Sequence, residues 1–103
     1  MIYPVRFLPQ VQTDALNGCF WYERKATGLG EEFLRVFYAR SNGLARNPMA
    51  HEKVHGEFRR CLLRRFPYAI YYRVKAGLVV VFGLFHCARD PRTLQTELGD
   101  RAE

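Results

Sequence analysis

Apolar residues recur along this chain with two periods, and the change from one to the other divides it. Ile2 to Leu8 reads as a short strand closed by Pro9. From Gln10 to about Ala26, Val11, Ala15, Gly18 and Tyr22 recur at helical spacing, and Leu16, Cys19 and Phe20 widen the stripe. Thr27-Gly28 ends this helix, because glycine readily adopts the left-handed conformation of a helix terminus, and Leu29-Gly30 makes the turn. Glu31 and Glu32 then fall in the first turn of a second helix, where carboxylates complement the helix dipole. Its buried face is Phe33, Phe37, Ser41 and Leu44, with Leu34, Tyr38 and Ala45 beside it, and Asn47-Pro48 stops it. So short a connection makes the two helices antiparallel neighbours.

After a polar stretch from Met49 to Glu57 the period becomes that of strands. Phe58 to Leu63 is one. Phe66 to Val74 is another, with Phe66, Tyr68, Ile70, Tyr72 and Val74 alternating onto one face. Lys75-Ala76-Gly77 is a hairpin turn, and the apolar run Leu78 to His86 is a central strand. Pro91 permits a last short helix to about Leu98, followed by a frayed tail over residues 99–103. The fold class is α+β, in the order β-α-α-β-β-β(-α). An antiparallel-rich sheet carries the two-helix hairpin on one face. The other face is then left partly open, with the arginine-rich strands on it.

At 103 residues and 49% hydrophobic content the chain, 1–103, reads as one domain with one core. Its longest apolar run, Leu78 to Phe85, is far short of the roughly 20 residues a membrane span needs, and the N-terminus lacks a signal-peptide core. The expectation is a cytoplasmic protein with no membrane partner. Cys19, Cys61 and Cys87 lack CxxC spacing and read as small, partly buried hydrophobes.

Charge changes the picture more. Phe58 to Arg92 holds eight basic residues and one acidic residue, net +7, whereas the remainder holds eight basic and nine acidic, net −1. Thirteen of the sixteen cations are arginine, the side chain shaped to grip carboxylate or phosphate with two donors. An anionic partner follows, nucleic acid or an acidic polypeptide.

Two features carry candidate chemistry. His51-Glu52-Lys53-Val54-His55 is a literal HExxH, which binds zinc when a regular helix sets both histidines on one face. Here it follows Pro48, is cut off by Gly56 and contains Lys53, so it reads as an exposed loop; no metal and no cofactor are expected. His86 lies among cations and is a weak candidate for a general base, with Arg89 holding phosphate; its plain role is a hydrogen bond to the following turn, to Asp90.

Several of these pieces, in order, resemble the RelE/ParE toxin superfamily, and more closely its ParE-like, plasmid-stabilisation branch. They are Trp21-Tyr22-Glu23, Gly28-Leu29-Gly30 before Glu32-Phe33-Leu34, Asn47-Pro48, Arg59-Arg60, Phe66-Pro67-Tyr68 running into Ile70-Tyr71-Tyr72, and His86 with Arg89-Asp90-Pro91. Trp21 and Phe33 are expected to pack. The resemblance implies the toxin of a type II toxin–antitoxin pair, silenced by a cognate acidic antitoxin, in a homodimer or a higher toxin–antitoxin assembly. ParE-like toxins poison DNA gyrase, and RelE-like toxins cut messenger RNA in the ribosome.

Arg89 stands where the ribonucleases carry a functional arginine. Tyr68 or Ala69 occupies the place of their mid-strand arginine, and Leu94 or Gln95 that of their C-terminal tyrosine. Arg59 and Arg60 can replace the strand lysines as phosphate binders but not as proton carriers. The resemblance therefore implies a gyrase-binding inhibitor rather than an enzyme, with an mRNA endonuclease as the alternative. The surface expected to bind antitoxin or target is Arg59, Arg60, Arg64, Arg65, Tyr71, Arg73, Arg89 and Arg92.

Overall fold

Pro9 does more than close a strand: it stands in the first turn of a helix, where its missing N–H costs nothing. In the computed structural model, which describes residues 2–102, strand β1 (Val5–Phe7) leads directly into α1 (Pro9–Lys25). Val11, Ala15, Gly18 and Tyr22 are its buried positions, the stripe the periodicity predicts. Helix α2 spans Leu29–Gly43, so the turn lies before Leu29 rather than at Leu29-Gly30. Gly28, at φ +88°, supplies the left-handed residue this turn requires. The Glu23 carboxylate accepts from the Gly28 amide at 2.9 Å and the Gly30 amide at 3.0 Å, binding donors that the start of α2 leaves without helical partners. A Cβ on Gly30 would lie 2.5 Å from the Cys19 carbonyl oxygen, so the two helices meet where only glycine fits.

After a 3-10 turn (Pro48–Ala50) come β2 (Lys53–His55), β3 (Phe58–Leu62), β4 (Tyr68–Lys75), β5 (Leu78–His86) and α3 (Pro91–Arg101). The five strands lie in the order β1-β5-β4-β3-β2; β1 runs parallel to β5 and the other neighbours are antiparallel. No helix of the described residues is long and apolar enough to cross a membrane.

Two apolar clusters sandwich the sheet. On one face Val11, Tyr22, Phe33 and Phe37 of the hairpin pack on Cys61, Ile70, Tyr72, Val79, Val81 and Leu84. On the other, Leu94 and Leu98 of α3 pack on Phe58, Ala69, Tyr71, Phe82 and Phe85. A bulge in β5 makes the second cluster possible. Tyr71 pairs with Gly83 and Tyr72 with Val81, leaving Phe82 as an extra residue. The alternation of β5 therefore slips by one, and Phe82 and Phe85 share a face although three residues apart. Gly83 lies beneath Phe85, whose ring would be 2.4 Å from a Cβ there.

The structure corrects three further expectations. Met49 to Glu57 is not all loop, because it contains β2. The chain does not fray at Gly99: α3 continues through Arg101, and Glu103 lies outside the described residues. Trp21 does not pack in the core but is 47% exposed.

Ser41, wholly buried on α2, has no hydrogen-bond partner for its hydroxyl. An unpaired buried hydroxyl costs about 1–3 kcal/mol. Ser41→Ala is therefore expected to raise the unfolding free energy by about 1 kcal/mol in urea titration; a loss would show that the hydroxyl is satisfied.

Candidate functional site: the basic face of the sheet

Adjacent strand residues point to opposite faces, which decides which arginines can act together. Arg60 is exposed and pairs with Tyr71 across β3 and β4, on the α3 side. Arg89 approaches the same place from the turn after β5, where its amide donates to the His86 carbonyl at 3.0 Å. Asp90 then caps α3, its carboxylate accepting from the Arg92 amide at 2.8 Å. Between them lies a groove of 140 Å³ reached by His55, Arg60, Cys87, Arg89 and Gln95, with Tyr71 and Leu94 in its wall. Arg73 stands further along the same face, its guanidinium 5.4 Å from the Phe58 ring and 5.5 Å from Phe82. Gln95, not Leu94, offers the polar group here, since Leu94 is buried.

The other predicted residues go elsewhere. Arg59 points to the hairpin side and donates to the His51 carbonyl at 2.6 Å, clamping the chain before β2. Arg64 and Arg65 lie in the β3–β4 turn beside Arg35 and Arg40 of α2, around a separate recess of 370 Å³. Arg65 pairs there with Glu32 at 2.6 Å. Tyr71, at 5% exposure, is part of the core and reaches the groove only as part of its wall. Arg92 is exposed in the first turn of α3. His86 is exposed; its Nδ1 accepts from the Ala88 amide at 3.0 Å, so its bond to the turn goes to Ala88 rather than Asp90. Cys87 is exposed, not a partly buried hydrophobe.

His55 is the residue that sequence reasoning missed. It closes the two-residue turn Gly56-Glu57 by pairing with Phe58, on whose ring it stacks at an interplanar angle of 2°. The sequence does carry a signal: β-branched Val54 two residues before the turn glycine Gly56 marks a hairpin. In this extended segment His51 and His55 do not occupy successive turns of a helix, so the HExxH lacks the geometry that binds zinc. Burial, reinforced by Arg40 and Arg59, holds the His51 imidazole below its ordinary pKa.

Behind the groove runs a chain of ion pairs. Arg89 pairs with Glu97 at 2.5 Å, and Glu97 with Arg101 at 2.9 Å. Arg101 grips both oxygens of Asp14 at 2.6 and 2.9 Å and donates to the Phe82 carbonyl at 2.8 Å. Asp14 also accepts from the Leu84 amide at 3.1 Å, capping β5 where β1 no longer runs beside it. Phe85 lies 4.6 Å from the Arg89 guanidinium and 4.9 Å from that of Arg101. Arg89 is thus fixed in direction, with a third of its side chain exposed to a ligand.

No protein-family model and no curated protein sequence matches this chain. Solved structures do. A chain of the chromosomal ParDE toxin–antitoxin system of P. aeruginosa superposes with a TM-score of 0.70 at 14% identity, over 82% of this chain and 96% of that one. A free-state E. coli RelE toxin carrying two arginine-to-alanine changes matches at 0.66 and 15% identity, over 100% of both chains. A chain of the Mycobacterium tuberculosis RelBE2 toxin–antitoxin complex matches at 0.59 and 19% identity, over 84% and 99%. At 14–19% identity these likenesses show that the chain shares its fold with those structures.

Proposed function

We propose that this protein is the toxin of a type II toxin–antitoxin pair, acting in the cytoplasm through the basic face of its sheet. The observation that carries the reading is the convergence of Arg60 and Arg89, with Arg73 along the same face, opposite the helical hairpin. An acidic antitoxin segment, folding as it binds, would neutralise these guanidinium groups and hide them from the target. DNA gyrase is the target by resemblance to ParE-like toxins, and the absence from the sequence of any tyrosine after Tyr72 supports a binding inhibitor over a RelE-type nuclease.

One observation favours a second reading. His55 shares the groove with Arg60, Arg89 and Gln95. An imidazole beside two guanidiniums provides a proton carrier and phosphate donors, which 2′-hydroxyl attack on RNA requires.

Induced expression should arrest growth, and Arg60→Glu, at an exposed position, should relieve the arrest without unfolding the protein. Purified toxin should inhibit gyrase supercoiling, and the same substitution should weaken inhibition about tenfold or more, the loss of one charged anchor worth at least about 1.4 kcal/mol. Supercoiling untouched at toxin excess would remove the gyrase reading. Message cleaved in a translating extract, and spared by His55→Ala, would establish the nuclease instead.

A further inference from the structure

A second and larger groove, of 430 Å³, lies on the other side of the β5 terminus, between that strand and α1. Ligand clefts typically measure about 300–1,000 Å³, so it is large enough for a small ligand. Its contents are unusual for a packing defect. Trp21 contributes an indole that is 47% exposed. Asn17 stands one turn before Trp21 on α1, with Gly18, whose absent side chain faces Phe33 of the core, between them. From the opposite wall come Tyr68, His86 and Arg89; His86 sits edge-on to Tyr68 with ring centroids 5.2 Å apart. Lys25 adds a cation 4.5 Å from the centre of the Trp21 ring. Asp14 is the one acid in the lining, and Arg101 and the Leu84 amide already neutralise it.

A flat aromatic platform, a carboxamide within one helical turn of it, and cations to either side are what a nucleotide needs. The base stacks on the indole, its edge meets the amide, and the phosphate meets guanidinium and imidazole. We propose that this groove binds a nucleotide unit, with the base on Trp21, the base edge at Asn17 and the phosphate at His86 and Arg89. An acidic peptide would use the cations equally but would leave the exposed indole and Asn17 without a matching partner. The groove shares Arg89 with the face bearing Arg60, but Trp21, Asn17 and His86 belong to it alone, so the inference does not rest on the toxin reading. Its ligand can be a free nucleotide or one residue of a single strand.

Trp21 is the only tryptophan in the sequence, so the protein carries its own probe. Uridine monophosphate, adenosine monophosphate, a short single-stranded oligouridylate and a polyglutamate peptide are titrated separately into the intact protein. Indole fluorescence and the indole N–H resonance are followed. Nucleotides should quench the fluorescence and shift the resonance. Response to the monophosphates identifies a free-nucleotide site; response to the oligonucleotide alone identifies a strand. Asn17→Ala and His86→Gln, both at exposed positions, should each weaken binding, and Trp21→Leu, followed by calorimetry, should weaken it at least about fivefold, the low end for one base–aromatic stack. Arg46→Gln, which removes a positive charge at another exposed site, should change nothing. Nucleotide binding that leaves the indole unmoved, no response to any nucleotide, or a response to polyglutamate alone would each overturn the proposal.

Discussion

Arg101→Ala is expected to lower the unfolding free energy by about 3 kcal/mol, the low end of what breaking a buried ion pair costs. The low end is appropriate because Arg101 and Asp14 keep 11% and 10% of their side-chain exposure. The loss arises less from the missing attraction than from what stays behind. Asp14 would keep its charge with only the Leu84 amide to solvate it, and the Phe82 carbonyl would lose its donor. The hydrogen bond to Asp14 is the largest influence raising the Arg101 pKa, with burial opposing it and the charges of Asp14 and Glu97 adding to it. A raised pKa on a base means stability that is complete below the ordinary arginine value and lost only above it, so the Arg101 charge contributes no pH dependence near neutrality. Arg101→Lys should recover little, since an ammonium cannot grip both carboxylate oxygens in the same fork. Asp14→Leu combined with Arg101→Met should recover most of the loss, because an apolar pair leaves no orphaned charge. Urea unfolding measures all four proteins. In a domain of this size about 3 kcal/mol corresponds to roughly 12 °C or more in melting temperature. A loss under about 1 kcal/mol for Arg101→Ala would reduce the network to an ordinary surface pair.

That network also marks where sequence reading stopped. The stripe Val11, Ala15, Gly18 and Tyr22 could be read because a helix buries residues its own period brings together. The β4 alternation and the apolar β5 were legible for the same local reason. Arg101 is 87 residues from Asp14, and no local period connects them. Strand β2 escaped notice because all three of its residues are exposed, so it carries no buried-face pattern. Charge counting found the excess of arginine but not its direction. Arg59 and Arg60 are adjacent in sequence, yet one pins a loop on the hairpin side and the other faces α3. Of the candidate site, Arg60, Arg73 and Arg89 were readable. His55 sits in a motif whose helical geometry does not occur here, which hides its place in a hairpin, and no local pattern in β4 signals that α3 packs over Tyr71.

Alkali is expected to destabilise this protein between about pH 10 and 12, with Tyr72 as the largest identified cause. Tyr72 is wholly buried in β4, and its hydroxyl donates to the Pro48 carbonyl at 2.5 Å, tying the 3-10 turn to the sheet. Burial first, and the neighbouring Cys61 second, push its pKa from 10.0 up to about 12, against a smaller lowering by Arg59. The neutral phenol is the form the fold favours. Below pH 10 both folded and unfolded chains hold the proton and the stability is intact; above it the unfolded chain releases the proton while the folded chain keeps it. At about 1.4 kcal/mol per pH unit the total loss is about 3 kcal/mol, complete once the pH passes 12. Burial raises Tyr22 and Tyr68 in the same direction, with the charge of Tyr68 adding to the effect on Tyr22, so all three steepen the same alkaline limb. Urea unfolding across this range should show stability falling with pH, while tyrosinate absorbance of the folded protein lags behind that of the unfolded chain. Tyr72→Phe separates this residue from the others. It should cost about 1 kcal/mol at neutral pH, through the carbonyl left unpaired at Pro48, and should flatten the alkaline slope. An unchanged slope in Tyr72→Phe would mean that the proton is released elsewhere, and that the bond from β4 to the turn does not hold Tyr72 neutral.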